Sequence, residues 1–232
     1  MIERVLEPEA MDTVEEAREY DLMDHASVNA NFVADMVDAV ARLRLGQADL
    51  RDGWVIDVGT GTARIPIALC RAQPACRVIG VDLAQEMLLV ARQNLLTAAL
   101  TDRVTLMRAG VTTLPFRDGS APVLVSNSLI HHLPRPADAL RELCRVASPG
   151  GVIFVRDLFR PASLAEVERL VGVYALGATA HQRQLLDDSL RAALTLDEVR
   201  DIVKALPLGS ASLAATSDRH WTLAAVRARV AR

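Results

Sequence analysis

Asp57-Val58-Gly59-Thr60-Gly61-Thr62-Ala63-Arg64 is the stretch that decides the fold. It follows a short apolar run, Trp54-Val55-Ile56-Asp57-Val58, and leads into Ile65 to Arg71, which reads as a helix. Strand, glycine bend and helix in that order build a cradle. Glycine lets the backbone come close to a ligand, and the helix N-terminus turns its N–H groups toward it. By itself such a bend is also no more than a tight connection. Two neighbours sharpen the reading. A dinucleotide bend needs a third glycine three residues after the second; Arg64 stands there and disfavours a pyrophosphate. Asp57, two residues before Gly59, would repel a pyrophosphate but attract an ammonium or sulfonium group. The bend therefore suits a cationic ligand.

Outward from the bend, strands alternate with helices. Arg77 to Asp82 reads as a second strand, Gln85 to Ala99 as a helix, and Val104 to Met107 as a third strand. Val123 to Asn127 is a fourth, Ala137 to Val146 a helix ended by Pro149-Gly150-Gly151, and Gly151 to Asp157 a fifth strand. That rhythm predicts a parallel sheet with helices on both faces. Residues 1–50 read as helical, with a capping box at Thr13-Val14-Glu15-Glu16 and a stop at Gly46. After Asp157 the pattern is helical again, with capping boxes opening at Ser163 and Thr195 and with Gly172, Gly177 and Ala178-Thr179 suggesting bent or broken helix between them. Ser210 to Thr216 and Trp221 to Val226 are strand-like. Four residues between them are too few for a helical crossover, so they pair antiparallel.

Asp82 ends the second strand, 21 residues after Gly61. An acid there can accept from both hydroxyls of a ribose, or it can cap the helix that follows. Beside the bend, the ribose reading is favoured.

From Val55 to Asp157 the sequence resembles the class I S-adenosylmethionine-dependent methyltransferases, and most of all their small-molecule branch with the ubiquinone/menaquinone C-methyltransferases. Val55 to Thr62 matches the first motif, and Val78 to Leu88 the second. Leu114-Pro115-Phe116, Ser126 to Leu133 and Arg145 to Gly151 match later segments in order. The resemblance implies a doubly wound, Rossmann-like α/β fold: seven mostly parallel strands in the order 3-2-1-4-5-7-6, strand 7 antiparallel, helices on both faces. It implies S-adenosyl-L-methionine as cofactor. Gly59 and Gly61 would line its methionine and ribose, Asp82 would hold the ribose, and Leu83 and Met87 would flank the adenine. Asp57, Thr60, Gly110, Val111 and Asn127 complete the expected cofactor-side set. Gly110 stands where the family often has Asp, Ala121-Pro122 replaces its Phe-Asp, and Ala63 replaces its third glycine.

Ligands of open α/β sheets lie beyond the carboxyl ends of the strands. His131, His132 and Asp157 are therefore the candidate catalytic residues, since histidine titrates near neutrality and suits proton removal. One histidine packing inward and the other capping a loop is the plain alternative. Adjacent side chains diverge on a strand or helix, so no metal site is expected. Arg156, Arg219, His220 and Trp221 are candidate substrate residues on the same rim. Tyr20, Asp24, His25 and Asn29 are candidates on an N-terminal helical lid of residues 1–50, ahead of a core of 51–232 with a helical insertion near 160–194. A solvated turn and a plain packing helix are the structural alternatives for these two groups.

Bulk properties narrow the partners. The net charge of -3 gives no footprint for a nucleic-acid backbone. No apolar stretch is long enough for a membrane span, and the acidic N-terminus lacks a secretory pattern. Cys70, Cys76 and Cys144 match no zinc spacing and read as buried thiols. A cytoplasmic enzyme acting on a small molecule is expected, with methylation of RNA or protein, or cofactor binding without catalysis, as alternatives. The methyl acceptor and the oligomeric state are not fixed by the sequence.

Overall fold

The computed structural model describes residues 2–7, 12–23, 26–44, 50 and 54–229. In chain order it contains α1 (Val14–Leu22), α2 (Ala26–Arg44), β1 (Trp54–Val58), α3 (Arg64–Ala72), β2 (Arg77–Asp82), α4 (Gln85–Thr97), β3 (Val104–Arg108) and β4 (Ala121–Asn127). A 3-10 turn (Ile130–His132) follows, then α5 (Pro136–Val146), β5 (Ala147–Leu158), α6 (Leu164–Tyr174), α7 (Ala180–Ala192), α8 (Leu196–Lys204), β6 (Leu208–Ala215) and β7 (His220–Arg227).

The strands form one seven-stranded sheet in the order β3-β2-β1-β4-β5-β7-β6. Neighbours from β3 to β5 are parallel, and β7 runs antiparallel to both β5 and β6. The expected order and the reversed seventh strand are both found.

Side-chain alternation explains the layers. Val55, Val78, Val123, Val125, Val152 and Phe154 face one core, which α2, α3 and α4 cover with Phe32, Met36, Leu69 and Leu95. Ile56, Val81, Leu124, Ile153 and Val155 face the other, covered by Leu140, Leu143 and Val199 of α5 and α8. Thus α2, expected as part of a lid, is built into the main core. Among the described residues, no helix is long and apolar enough to cross a membrane.

One boundary differs from the sequence reading. Pro149-Gly150-Gly151 does not break a helix; β5 starts at Ala147, directly after α5, and runs through it. The helix break expected around Gly177 and Ala178-Thr179 is found: α6 ends at Tyr174, and Thr179 and Gln182 form a full capping box that starts α7. The expected stop at Gly46 lies outside the described residues.

Candidate functional site

The β1–α3 bend is held by its own backbone. The N–H groups of Gly59 and Thr60 both donate to the Val81 carbonyl, at 2.8 and 3.0 Å, tying the bend to β2. Gly59 has φ +77°, a region costly for other residues, and a Cβ there would lie 2.9 Å from Leu129 Cδ2. Thr60 turns inward, and its hydroxyl donates to Asp57 Oδ2 at 2.7 Å. Gly80 on β2 makes room for it: a Cβ at that position would lie 2.7 Å from Thr60 Oγ1.

Two carboxylates flank the bend. Burial raises Asp57 to about 7, against the pull of the Thr60 hydroxyl and with a push from Asp82. Asp82 accepts from the Gly61 N–H at 2.7 Å through Oδ2 and from the Ala84 N–H at 3.0 Å through Oδ1. The Leu83 backbone also bonds to this carboxylate, which with about four acceptor positions keeps one of them free. Burial raises the Asp82 pKa, while these backbone donors oppose it. The capping residue of α4 is Ala84, so Asp82 does not cap it in the strict sense.

Above the bend lies α1. A Cβ on Gly61 would stand 3.9 Å from Tyr20 Cε1. Ala17 packs on Ala84 and Met87. Asp21 is the fastener, and sequence reasoning did not single it out. It accepts a two-pronged bond from Arg64, at 2.9 and 2.7 Å, and one from Asn94 at 2.8 Å. The space enclosed by Tyr20, Asn29, Gly59, Gly61 and Asn127 is about 40 Å³. A groove of about 730 Å³ runs from it between α2 and α3, past Asn29, Val33, Ile67 and Ala68. Met87 is buried under α1 while Leu83 is exposed. Gly110 and Val111 follow β3, whose exit is tied to Asp82 by the Ala109 N–H. Asp24 and His25 lie outside the described residues.

Across the rim, the structure brings the three candidate catalytic residues together. Asp157 lies at the end of β5, 1% exposed. Its Oδ1 stands 2.5 Å from His131 Nδ1, and its Oδ2 accepts from the Ile130 N–H at 2.5 Å. Burial disfavours a charged His131, but Asp157 outweighs it and raises the imidazole. Burial works in the same way against the Asp157 carboxylate, which His131 holds below its ordinary range. His132 stacks beside His131, with ring centroids 4.1 Å apart. The divergence expected of adjacent side chains fails because both sit on a single 3-10 turn.

A residue from far away in sequence completes the group. Residues 2–7 form a strap fixed by Arg4, which donates to the carbonyls of Ala192, His131 and Leu133 at 2.6, 3.1 and 3.0 Å. The strap sets Glu7 Oε2 2.6 Å from His132 Nδ1 and Glu7 Oε1 3.8 Å from His131 Nε2. Glu7 Oε1 is buried and has no hydrogen-bond partner, at a cost of about 1–3 kcal/mol for such an atom. No motif marks Arg4 or Glu7 in the sequence; the only available signal was a Glu within an acidic leader.

The remaining candidates separate. Arg156 points away from Asp157, as alternate residues on a strand must. It donates to Asp35 at 2.6 Å and Thr222 at 2.9 Å and stacks on Phe32 and Phe154, bracing α2. Trp221, expected at the rim, is instead fully buried in the core. Arg219 lies 3.3 Å above the Tyr174 ring. His220 takes a 2.9 Å bond with Ser217, and burial lowers its pKa to about 4.

Residues 56–155 match a family model described as a methyltransferase domain. That match covers 100 of the 232 residues. The matched stretch spans the bend, both of its carboxylates and the His131–His132 turn. The chain is 29% identical over 160 residues to a demethylmenaquinone methyltransferase of Porphyromonas gingivalis, covering 64% of this chain and 65% of that one. It is 32% identical over 181 residues to a malonyl-[acyl-carrier protein] O-methyltransferase of a Marinomonas species, covering 73% and 63%. The chain thus spans less than two thirds of the length of these curated relatives. A SAM-dependent methyltransferase structure from Aquifex aeolicus superposes with a TM-score of 0.63 at 16% identity, covering 92% of this chain and 98% of that one. That likeness shows the shared fold of the domain.

Proposed function

We propose that the chain is a class I methyltransferase that moves a methyl group from S-adenosyl-L-methionine to a small-molecule acceptor. One observation carries the reading. Asp82 is held at the bend by the backbone N–H groups of Gly61 and Ala84, with Leu83 beside them, and keeps acceptor capacity facing the bend for a ribose hydroxyl. Asp57 supplies a second carboxylate beneath the glycines, and Tyr20 a half-buried ring above them. Two carboxylates at a glycine bend fit a positively charged nucleoside and oppose a dinucleotide. The name of one matched relative, a demethylmenaquinone methyltransferase, supports a small acceptor.

In this reading Gly59, Thr60, Gly61, Asp82, Leu83, Met87, Gly110, Val111 and Asn127 surround the cofactor. When bound, it supplies an electrophilic methyl carbon on a sulfonium. The chain contributes placement and exclusion of water, which can account for much of such a rate. His131, oriented by Asp157, and His132, oriented by Glu7, form the acceptor side. The strap of residues 2–7 and α1 close one edge; α6 and α7, within the 160–194 insertion, close the other. Arg219 and His220 stand on that rim. A cytoplasmic location belongs to the same reading, supported by three buried cysteines without disulfides.

The test is transfer of labelled methyl from S-adenosylmethionine into a metabolite library. His132→Ala is expected to lower turnover more than cofactor affinity. A variant that transfers at the full rate would remove His132 from the acceptor side, and no transfer to any metabolite would remove the small-molecule reading.

A further inference from the structure

We infer that Glu7, His131 and His132 form a binding site for a divalent first-row transition-metal ion of the zinc class. Two imidazoles and a carboxylate are the donor set of open zinc sites, in which three protein ligands leave one position free. One ligand atom from each residue lies within 4.8 Å of the other two.

The strongest argument is an unsatisfied contact. Asp157 sits 2.5 Å from His131 Nδ1. That partner holds the ring proton on Nδ1 and turns the Nε2 lone pair toward Glu7 Oε1, 3.8 Å away. The gap is too long for a hydrogen bond. Glu7 Oε1 is buried and has no hydrogen-bond partner, while His132 and Ser189 draw on the carboxylate otherwise. In that tautomer two lone pairs face each other out of water and repel, unless a second ring proton or a bound cation stands between them. Ligands about 2.0–2.2 Å from one ion span such a separation.

A carboxylate behind a ligating imidazole is also the usual support of a metal-bound histidine. Asp157 is itself fixed by the N–H groups of Ile130 and Leu158. Glu7 cannot easily withdraw, because Arg4 pins the strap to α7 and to the turn, and Ile2 packs against the α6–α7 cluster. Imidazole and carboxylate donors favour zinc, cobalt or iron over calcium and magnesium. An acceptor heteroatom could take the free position. That use rests on the methyltransferase reading, whereas the binding of the ion does not.

The test uses the full chain without an affinity tag, stripped with chelator and titrated with Co²⁺ alone. One equivalent should give visible d–d absorption of low-symmetry cobalt, and Zn²⁺ should displace it. Glu7→Gln and His132→Ala should weaken binding by at least tenfold, each checked as folded by circular dichroism. Asp157→Asn should weaken it by roughly 10–100-fold. His181→Gln, on an exposed pair with Glu19, should leave it unchanged. No absorption at saturating Co²⁺, or a band that survives both Glu7→Gln and His132→Ala, overturns the site. Cofactor and acceptor are absent throughout, so this result stands or falls apart from the methyltransferase reading.

Discussion

Asp57 joins the chemistry of the site to the stability of the fold. Its carboxyl titrates at about 7 because it is buried, while in the unfolded chain it would titrate near 3.9. Between those values the folded protein holds a proton that the unfolded chain has released. The contribution of Asp57 to stability is thus fully present below about pH 4 and is lost as pH rises through 7. Urea midpoints across pH 5 to 8 should fall with this slope, and Asp57→Asn should flatten it. An unchanged slope would mean that Asp57 is ionised throughout. The same titration should favour a cationic ligand over a neutral one as pH rises. Gly80 is a second test at this scale. An added methyl group would press on Thr60, so Gly80→Ala should cost about 1–3 kcal/mol, as overpacking typically does. Denaturant unfolding measures it, and a loss below about 0.5 kcal/mol would show that Thr60 moves aside easily.

At the scale of elements, the proposed function makes α1 the part that a bound cofactor would displace. The space above the bend, about 40 Å³, is far smaller than the roughly 300–1,000 Å³ of ordinary ligand sites. Asp21 holds α1 down through Arg64 and Asn94. The Arg64 pair is partly exposed and worth about 0.2–1 kcal/mol, and the Asn94 bond adds about 0.5–1.5 kcal/mol. Asp21→Ala should therefore speed release of S-adenosylhomocysteine by several-fold to tens-fold in stopped-flow, with a smaller effect on the transfer step. An unchanged release rate would show that α1 is not the gate. Elements were also where the sequence was most legible. β1 and β2 have the expected limits, because apolar runs between a glycine bend and an acid leave little choice. Pro149-Gly150-Gly151 misled, because a strand pairing on both sides overrides local breakers. Glu7 and Asp21 were not legible as site residues, since their partners lie over 40 positions away and no local pattern encodes such a meeting.

On the scale of the whole molecule, two cores on either side of one sheet hold the rim in place, and the site is assembled from segments that share no local sequence. Asp57 and Asp82 come from adjacent parallel strands, and the His131 turn and Asp157 from the next pair outward. The order of strands, not any single motif, puts them on one edge. Trp221 sits inside this framework, so Trp221→Ala should cost about 3–5 kcal/mol and leave cofactor affinity within a few-fold. A stable variant with lost affinity would return Trp221 to the ligand rim.

The most direct measurement is calorimetric titration of the intact protein and of Asp82→Ala with S-adenosylmethionine, with a nicotinamide dinucleotide as the competitor. The bend and its carboxylates predict one site for the sulfonium nucleoside, at least tenfold weaker binding in the variant, about 1.4 kcal/mol, and no heat from the dinucleotide. Equal affinity in the two proteins, or saturable binding of the dinucleotide instead, would contradict the assignment.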